Sequence, residues 1–254
     1  MAHVSLRGVT VDFPIYSLAG RSLKKMLLGR SLVGRFSEAH GNIAVRAIDN
    51  MELELARGDR LALIGRNGAG KTTLLRVLAG VYEPTGGTVV TSGRVTPLFD
   101  IGLGIDPEAT GVENIFLRGA LLGLKKADLS RAVPAIAEFT ELEEYMHMPV
   151  RTYSAGMTMR LAFAVSTAVS PDILLMDEFL TVGDESFMRK AEARMMALVE
   201  RAAIIVLASH AREVLERFCN KGLWLEAGKV RAFGPLADVL GAYENAFGSA
   251  KRLR

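Results

Sequence analysis

A single cysteine, Cys219, is all the thiol these 254 residues contain. That excludes an intramolecular disulfide framework and fits a reducing compartment. The N-terminus, "MAHVSLRGVTVDF", lacks the charged-then-apolar pattern of a secretory signal. Apolar runs such as "AAIIVLA" (202–208) stay far below the roughly 20 residues a membrane-crossing helix needs. These absences predict a soluble, cytoplasmic protein that reaches any membrane from the side. Low-complexity tracts and long Pro/Ser linkers are missing as well, and half of the residues are hydrophobic, which favours one compact unit with a proper core. Neither charge sign dominates: 31 Lys+Arg against 28 Asp+Glu leave +3, too little to argue for nucleic acid. Acid is absent locally, between Asp12 and Glu38, where Arg21, Lys24, Lys25, Arg30 and Arg35 all fall. Glutamine is absent altogether.

What is present alternates. Short Val/Ile/Leu runs exchange with helical stretches, which predicts an α/β fold with a largely parallel sheet covered by helices. "DRLALIG" (59–65), "DILLMD" (172–177) and "AIIVLAS" (203–209) read as buried strands. "KTTLLRVLAG" (71–80) reads as a helix stopped by Gly80, and "GTVVTSGRVTPLF" (87–99) as extended structure turned at Ser92-Gly93. From about 108 to 168 the pattern is helical with no strand candidate. "LWLEAGKVRAF" (223–233) reads as a hairpin around Ala227-Gly228, and "PLADVLGAYENAF" (235–247) as a closing helix with Pro235 in its first turn.

One stretch carries chemistry directly. "GRNGAGKT" (65–72) fits G-x-x-x-x-G-K-[ST], follows a strand and opens a helix, which is the context that motif requires. Gly65, Gly68 and Gly70 let the backbone through Arg66, Asn67 and Ala69 curl its N–H groups around phosphate oxygens. The helix beginning at Lys71, Thr72 and Thr73 points its positive end at the same place. Lys71 reaches the β- and γ-phosphates, and the Thr72 hydroxyl is a ligand for Mg²⁺. Such a loop needs a metal-side carboxylate at the end of another strand, and "ILLMDE" (173–178) supplies Asp177, with Glu178 beside it to accept a proton from water attacking the γ-phosphate. Nucleotide hydrolysis with Mg²⁺ is the expected chemistry.

A second anion-ready turn lies about eighty residues later: "TYSAGMTMRLAFAV" (152–165) runs from a small polar turn into a helix. Alone it reads as a helix start capped by Ser154. With the P-loop ahead of it and Asp177-Glu178 behind, the chain resembles the ATP-binding subunit of an ABC transporter over nearly its whole length. The resemblance implies a P-loop NTPase of ABC type: one domain over 1–254, with a RecA-like core, an N-terminal antiparallel β element and a helical subdomain at about 100–168. It makes Ser154-Ala155-Gly156-Met157 the signature turn, Asp184 of "FLTVGD" (179–184) the D-loop aspartate, and His210 the switch histidine at the γ-phosphate, where the bland alternative is a surface histidine. Phe13, or else Tyr16, is the aromatic expected against adenine. It also implies a homodimer closed through ATP, the signature turn of one copy capping the γ-phosphate held by the P-loop of the other, and a membrane-spanning permease as partner.

Two positions where the family uses glutamine are filled otherwise. Met157 stands in the signature, and Asp100 within "LFDIGLG" (98–104) is the polar candidate at the Q-loop position, either toward Mg²⁺ or merely capping a turn. "PLFDIGLGIDPEATGVENI" and "DEFLTVGDESF" (177–187) resemble the branch that exports bacterial surface polysaccharides such as O-antigen, capsule or teichoic acid. That implies a lipid-linked glycan as substrate, no nucleic acid, and a peripheral location on the cytoplasmic face of the inner membrane. The ATPase of another importer or small-molecule exporter is the alternative. The basic, leucine-containing segment at about 17–40 is an insertion, either a solvated helix or an amphipathic element facing headgroups, a glycolipid or the permease. The chain stops soon after its closing helix, so no C-terminal carbohydrate-binding domain is expected.

Overall fold

The structure is a computed structural model that describes residues 2–15, 36–39, 42–178 and 185–248, with only the backbone described at 36–39, 42, 43, 185, 186 and 248. In chain order the elements begin with β1 (His3–Pro14), β2 (Phe36–Ala39), β3 (Asn42–Ala56), β4 (Arg60–Ile64), α1 (Lys71–Leu78), β5 (Gly86–Ser92) and β6 (Val95–Leu98). Then come α2 (Gly111–Leu121), α3 (Lys126–Thr140), α4 (Ala155–Ser166), β7 (Ile173–Asp177), α5 (Glu185–Arg201), β8 (Ile204–Ala208), α6 (Arg212–Phe218), β9 (Lys221–Glu226), β10 (Lys229–Pro235) and α7 (Leu236–Gly248). The described residues fall into two units, one within Met1–Val95, Met176–Glu178 and Ala203–Arg254, the other within Thr96–Leu175 and Phe179–Ala202.

The first unit contains an antiparallel sheet in the order β2-β3-β1-β5. β1 pairs with β3 from His3↔Ala56 to Pro14↔Ala44 and with β5 from His3↔Ser92 to Thr10↔Gly86. Val4, Leu6, Val9 and Val11 are buried along β1, and the register shifts between Leu6 and Val9, so the alternation restarts across the irregularity. The expected N-terminal antiparallel element is this sheet. Its companion runs β10-β9-β4-β8, with β4 parallel to both β8 and β9. Leu61, Ala62 and Leu63 of β4 and the whole of β8 are buried, as continuous apolar runs in parallel strands should be. The β9–β10 hairpin turns through Ala227 (φ 50°) and Gly228 (φ 81°), both left-handed as a tight two-residue turn demands. Pro235 ends β10 rather than entering the first turn of α7.

The segment expected to be extended at 87–99 is extended but divided: β5 pairs with β1, whereas β6 belongs to a different sheet. Both halves satisfy β propensity, and only tertiary pairing separates them.

The second unit packs α2, α3 and α4 around Ile115, Leu129, Ile136, Met146, Leu161 and Val165, all buried. A Cβ at Gly119 would run into the side chain of Leu129, so α2 and α3 are in close contact there. Between α3 and α4 the chain forms two 3-10 turns, Glu143–Tyr145 and Val150–Thr152, and Thr110 bridges Pro149. Phe187 of α5 packs edge-on against Phe139 and Phe163 at centroid distances of 5.2 and 6.3 Å. No helix among the described residues is long and apolar enough to cross a membrane.

Candidate functional site

The first unit holds a cleft of about 560 Å³ lined by 67–73, Val45, Ala47, Asp177, Glu178 and His210. Its floor is the turn between β4 and α1. Gly65 and Gly70 have φ of 151° and 113°. A Cβ on Gly65 would meet the Leu225 carbonyl, and one on Gly70 would lie 2.7 Å from the Ala47 carbonyl. The loop is pinned from outside too: Gly228 N–H donates to the Ala69 carbonyl at 2.9 Å, and Asp49 N–H donates to the Gly228 carbonyl at 3.0 Å. Glycine is needed at 65 and 70 on conformational and steric grounds. α1 starts without a side-chain cap or an acid in its first turn, so its N–H groups and positive dipole end stay available for an anion.

Lys71 is 9 % exposed, and its Nζ donates to the Gly65 carbonyl at 2.6 Å and the Arg66 carbonyl at 3.3 Å. Burial lowers its pKa, while Asp177 and Glu178 act in the opposite sense. Thr72 Oγ1 donates to Asp177 Oδ2 at 2.7 Å, so the hydroxyl and carboxylate that sequence assigns to a metal stand side by side. This donor set, hydroxyl and carboxylate oxygen beside a phosphate cradle, fits Mg²⁺, which prefers oxygen ligands and keeps several waters.

β8 places the remaining two polar groups. Glu178 N–H donates to the Ala208 carbonyl at 2.7 Å, and its φ of 67° turns the residue out of the line of β7. A left-handed glutamate is strained by about 1–3 kcal/mol, a conformation that persists where the surroundings impose it. His210 follows two residues after Ala208 and lies exposed at the cleft; Ser209 Oγ accepts from Ala211 N–H at 3.1 Å in the adjoining turn. Phe13 is 36 % exposed, pairs in register with cleft-lining Val45, and packs edge-on against Tyr82 at 5.3 Å. Tyr16, Asp184 and most of the basic segment 17–40 lie outside the described residues.

The second unit carries the other candidate residues. Ser154, Ala155 and Gly156 are exposed at the start of α4, and Ser154 Oγ accepts from Met157 N–H at 3.2 Å. No acid occupies that first turn. Among the described residues a Cβ at Gly156 would find only Ser154 Oγ, at 3.8 Å. Asp100 sits exposed in a turn with φ 50°, its carbonyl accepting from Leu103 N–H at 2.9 Å.

Sequence reasoning passed over Val45 and Ala47, which line the cleft, and over the bond by which the Gly228 N–H braces the loop. It also passed over Asn114. That fully buried side chain accepts from Asp106 N–H at 2.7 Å and donates to the carbonyls of Asp106, Ala109 and Thr110 at 2.8–3.2 Å. The T-x-x-E spacing of 110–113 was the available signal for that helix start.

A strand, a glycine turn, a buried lysine opening a helix, and a second strand ending in acid define the first unit as a P-loop nucleoside triphosphatase. The chain belongs to the ABC transporter family, whose profile matches residues 48–181. It is 43 % identical over 231 residues to the O-antigen export system ATP-binding protein RfbE of Yersinia enterocolitica, covering 91 % of this chain and 97 % of that one. It is 42 % identical over 253 residues to RfbB of Myxococcus xanthus, also an O-antigen export ATP-binding protein, covering 99 % of this chain and 57 % of that one. Its fold is similar to that of the ATP-binding cassette MJ0796, solved as a dimer in a post-hydrolysis state with ADP and Pi, at a TM-score of 0.62 and 20 % identity over 92 % of this chain and 98 % of that one.

Proposed function

We propose that this chain is the ATP-hydrolysing subunit of an exporter that moves a lipid-linked surface polysaccharide outward from the cytoplasmic face of the inner membrane. The observation that carries the reading is the 43 % identity to an O-antigen export ATP-binding protein across 97 % of that protein's length. In this reading two copies pair head to tail. The P-loop residues Gly65–Thr73 hold the triphosphate of one ATP, and Ser154–Met157 of the second copy close over its γ-phosphate. Magnesium, when bound, would neutralise phosphate charge, and Thr72 and Asp177 are the residues that would hold it, with Asp100 as a further candidate. Glu178 orients a water and takes its proton as the oxygen attacks the γ-phosphorus and the bond to the bridging oxygen breaks. His210 donates to the γ-phosphate, Phe13 or Tyr16 stacks on adenine, and Asp184 lies across the dimer seam. A membrane-spanning permease receives the motion, and the basic segment 17–40 faces the membrane, the permease or the glycolipid.

The test is genetic and chemical. A strain lacking this chain will retain lipid-linked polymer inside the cell and lose it from the surface, and a Glu178→Gln copy will not restore export. A normal polysaccharide coat without the chain assigns it to a different transporter.

A further inference from the structure

Helix α4 carries no counter-charge at its start, yet its last turn gathers two guanidinium groups. Arg118 of α2 is 4 % exposed. Its Nε and Nη2 donate to Ser166 Oγ at 3.1 and 2.9 Å, and its Nη1 donates to the Leu103 carbonyl. Ser166 in turn donates to the Ala162 carbonyl at 2.8 Å, within α4. Arg194 of α5 donates from Nε and Nη2 to the Thr167 carbonyl at 3.3 Å, and its guanidinium lies 4.3 Å from the centroid of Phe139.

Neither arginine has a carboxylate partner among the described residues. Burial alone shifts both, and it pushes Arg118 down to about 10. What offsets the charge is the negative end of α4, where the last carbonyls lack helical partners. A buried cation without a counter-ion is a poor stabiliser, and an apolar side chain of similar volume commonly serves the core as well or better. Arg118 therefore does something packing does not need. A methionine fills space; a guanidinium fork ties α2, α4 and the turn at Asp100–Gly104 together in one geometry.

We propose that Arg118 and Arg194 are positioning residues, a two-arginine clamp that fixes the C-terminal end of α4 to α2, to the 100–104 turn and to α5, and so aims the Ser154–Met157 turn at the other end of the helix. This rests on the reading of that turn as the lid on the partner copy's γ-phosphate. Leverage makes the clamp matter. α4 has 12 residues and at 1.5 Å per residue is about 18 Å long, so a tilt of about 3° at its clamped end moves the turn by about 1 Å. A misplacement of that size away from the chemistry can slow a reaction by up to about 100-fold.

The experiment is steady-state ATPase kinetics and thermal unfolding on the purified full chain carrying Arg118→Met. The expected result is a KM for ATP within twofold of wild type, a kcat about 10-fold lower, and an unfolding midpoint at or above the wild-type value. Arg118→Lys stays as slow, because one ammonium does not span Ser166 and Leu103 together. A wild-type kcat in either variant overturns the clamp, as does a rate loss that only tracks a lowered midpoint. If Arg118→Met does not fold, Ser166→Ala replaces it, with about a threefold fall in kcat expected and none overturning the proposal. Gel filtration of Glu178→Gln with ATP separates the two failures. If that variant stays monomeric, the reading of the turn fails; if it dimerises while Arg118→Met turns over normally, the clamp alone fails.

Discussion

Two helices of the second unit begin alike and end the comparison differently. Thr110 before α2 and Ser154 before α4 are both extended N-cap residues whose hydroxyls accept from the N–H three residues on, each at 3.2 Å. At α2 the loop closes chemically. Glu113 reaches back to Thr110 N–H at 2.8 Å, and the bond to that backbone group holds its carboxyl below the usual carboxylate range. A negative charge thus sits on the positive end of the helix. At α4 the third residue is Met157, whose sulfur lies 3.5 Å from Ser154 N–H. Sulfur is a weak, uncharged acceptor, so that helix end keeps its positive potential. The residues around it are small and exposed, and among the described residues Gly156 meets nothing that an alanine would disturb. One helix start is closed by its own carboxylate; the other has only a thioether in that place. The P-loop differs from both, because its glycines are explained by contacts inside the first unit alone.

The sharpest way to break this contrast is to give α4 the closure α2 has. Met157→Glu replaces the thioether of the existing capping box with a carboxylate, and puts a negative charge where the proposed reading puts the partner copy's γ-phosphate. Like charges brought together oppose each other by several kcal/mol, and about 3 kcal/mol corresponds to ~100-fold. ATP-driven dimerisation of a Glu178→Gln background and turnover of the otherwise wild-type chain should both fall by about that factor, while the helix itself gains about 0.5 kcal/mol. Dimerisation at wild-type ATP concentration would mean that α4 faces no anion. A milder intervention is Gly156→Ala. It removes a helix-weakening residue, worth roughly 0.5–1 kcal/mol in stability, and it should raise the unfolding midpoint by about 2 °C while lowering kcat about 10-fold through crowding of the closed lid. Binding of ATP to the single chain, read by fluorescence of a labelled nucleotide, should not change.

How much of this was legible beforehand depends on whether a feature is local. The P-loop is a contiguous pattern set between a strand and a helix, and Asp177-Glu178 ends a contiguous apolar strand, so both could be read directly. The hairpin at Ala227-Gly228 was equally plain. The division of 87–99 between two sheets was not, because Val89 and Val95 have the same preference whichever sheet receives them. Residues 141–154 fall inside the stretch read as helical, yet they form two 3-10 turns of three residues each, too short to carry a period of their own. The close approach of the Ala47 carbonyl to Gly70 and the bond from Gly228 N–H to the Ala69 carbonyl are backbone contacts and carry no side-chain signature. Arg118 carries no local signal, because its burial against Ser166 joins residues 48 apart in sequence. Asp100 and Phe13 depend on geometry between segments distant in the chain, and no short window contains that information.

The smallest effect should come from the closed helix start, and its smallness is the point. Thr110→Ala removes the hydroxyl that accepts from Glu113 N–H and leaves the rest of the 106–114 loop in the hands of Asn114, which binds three carbonyls from within the core. Loss of an N-cap of this kind costs about 1 kcal/mol, which for a protein of this size lowers the unfolding midpoint by about 2–4 °C. Nothing in that helix start is offered outward, so kcat and the KM for ATP should stay within twofold of wild type. The same hydroxyl deletion at the open start, Ser154→Ala, removes an equivalent cap and should lower the midpoint comparably, yet it should also slow hydrolysis. If the two deletions slow hydrolysis equally, the distinction between the helix starts is one of composition and not of function; if only Ser154→Ala does, the cap at α4 has a second duty beyond its own helix.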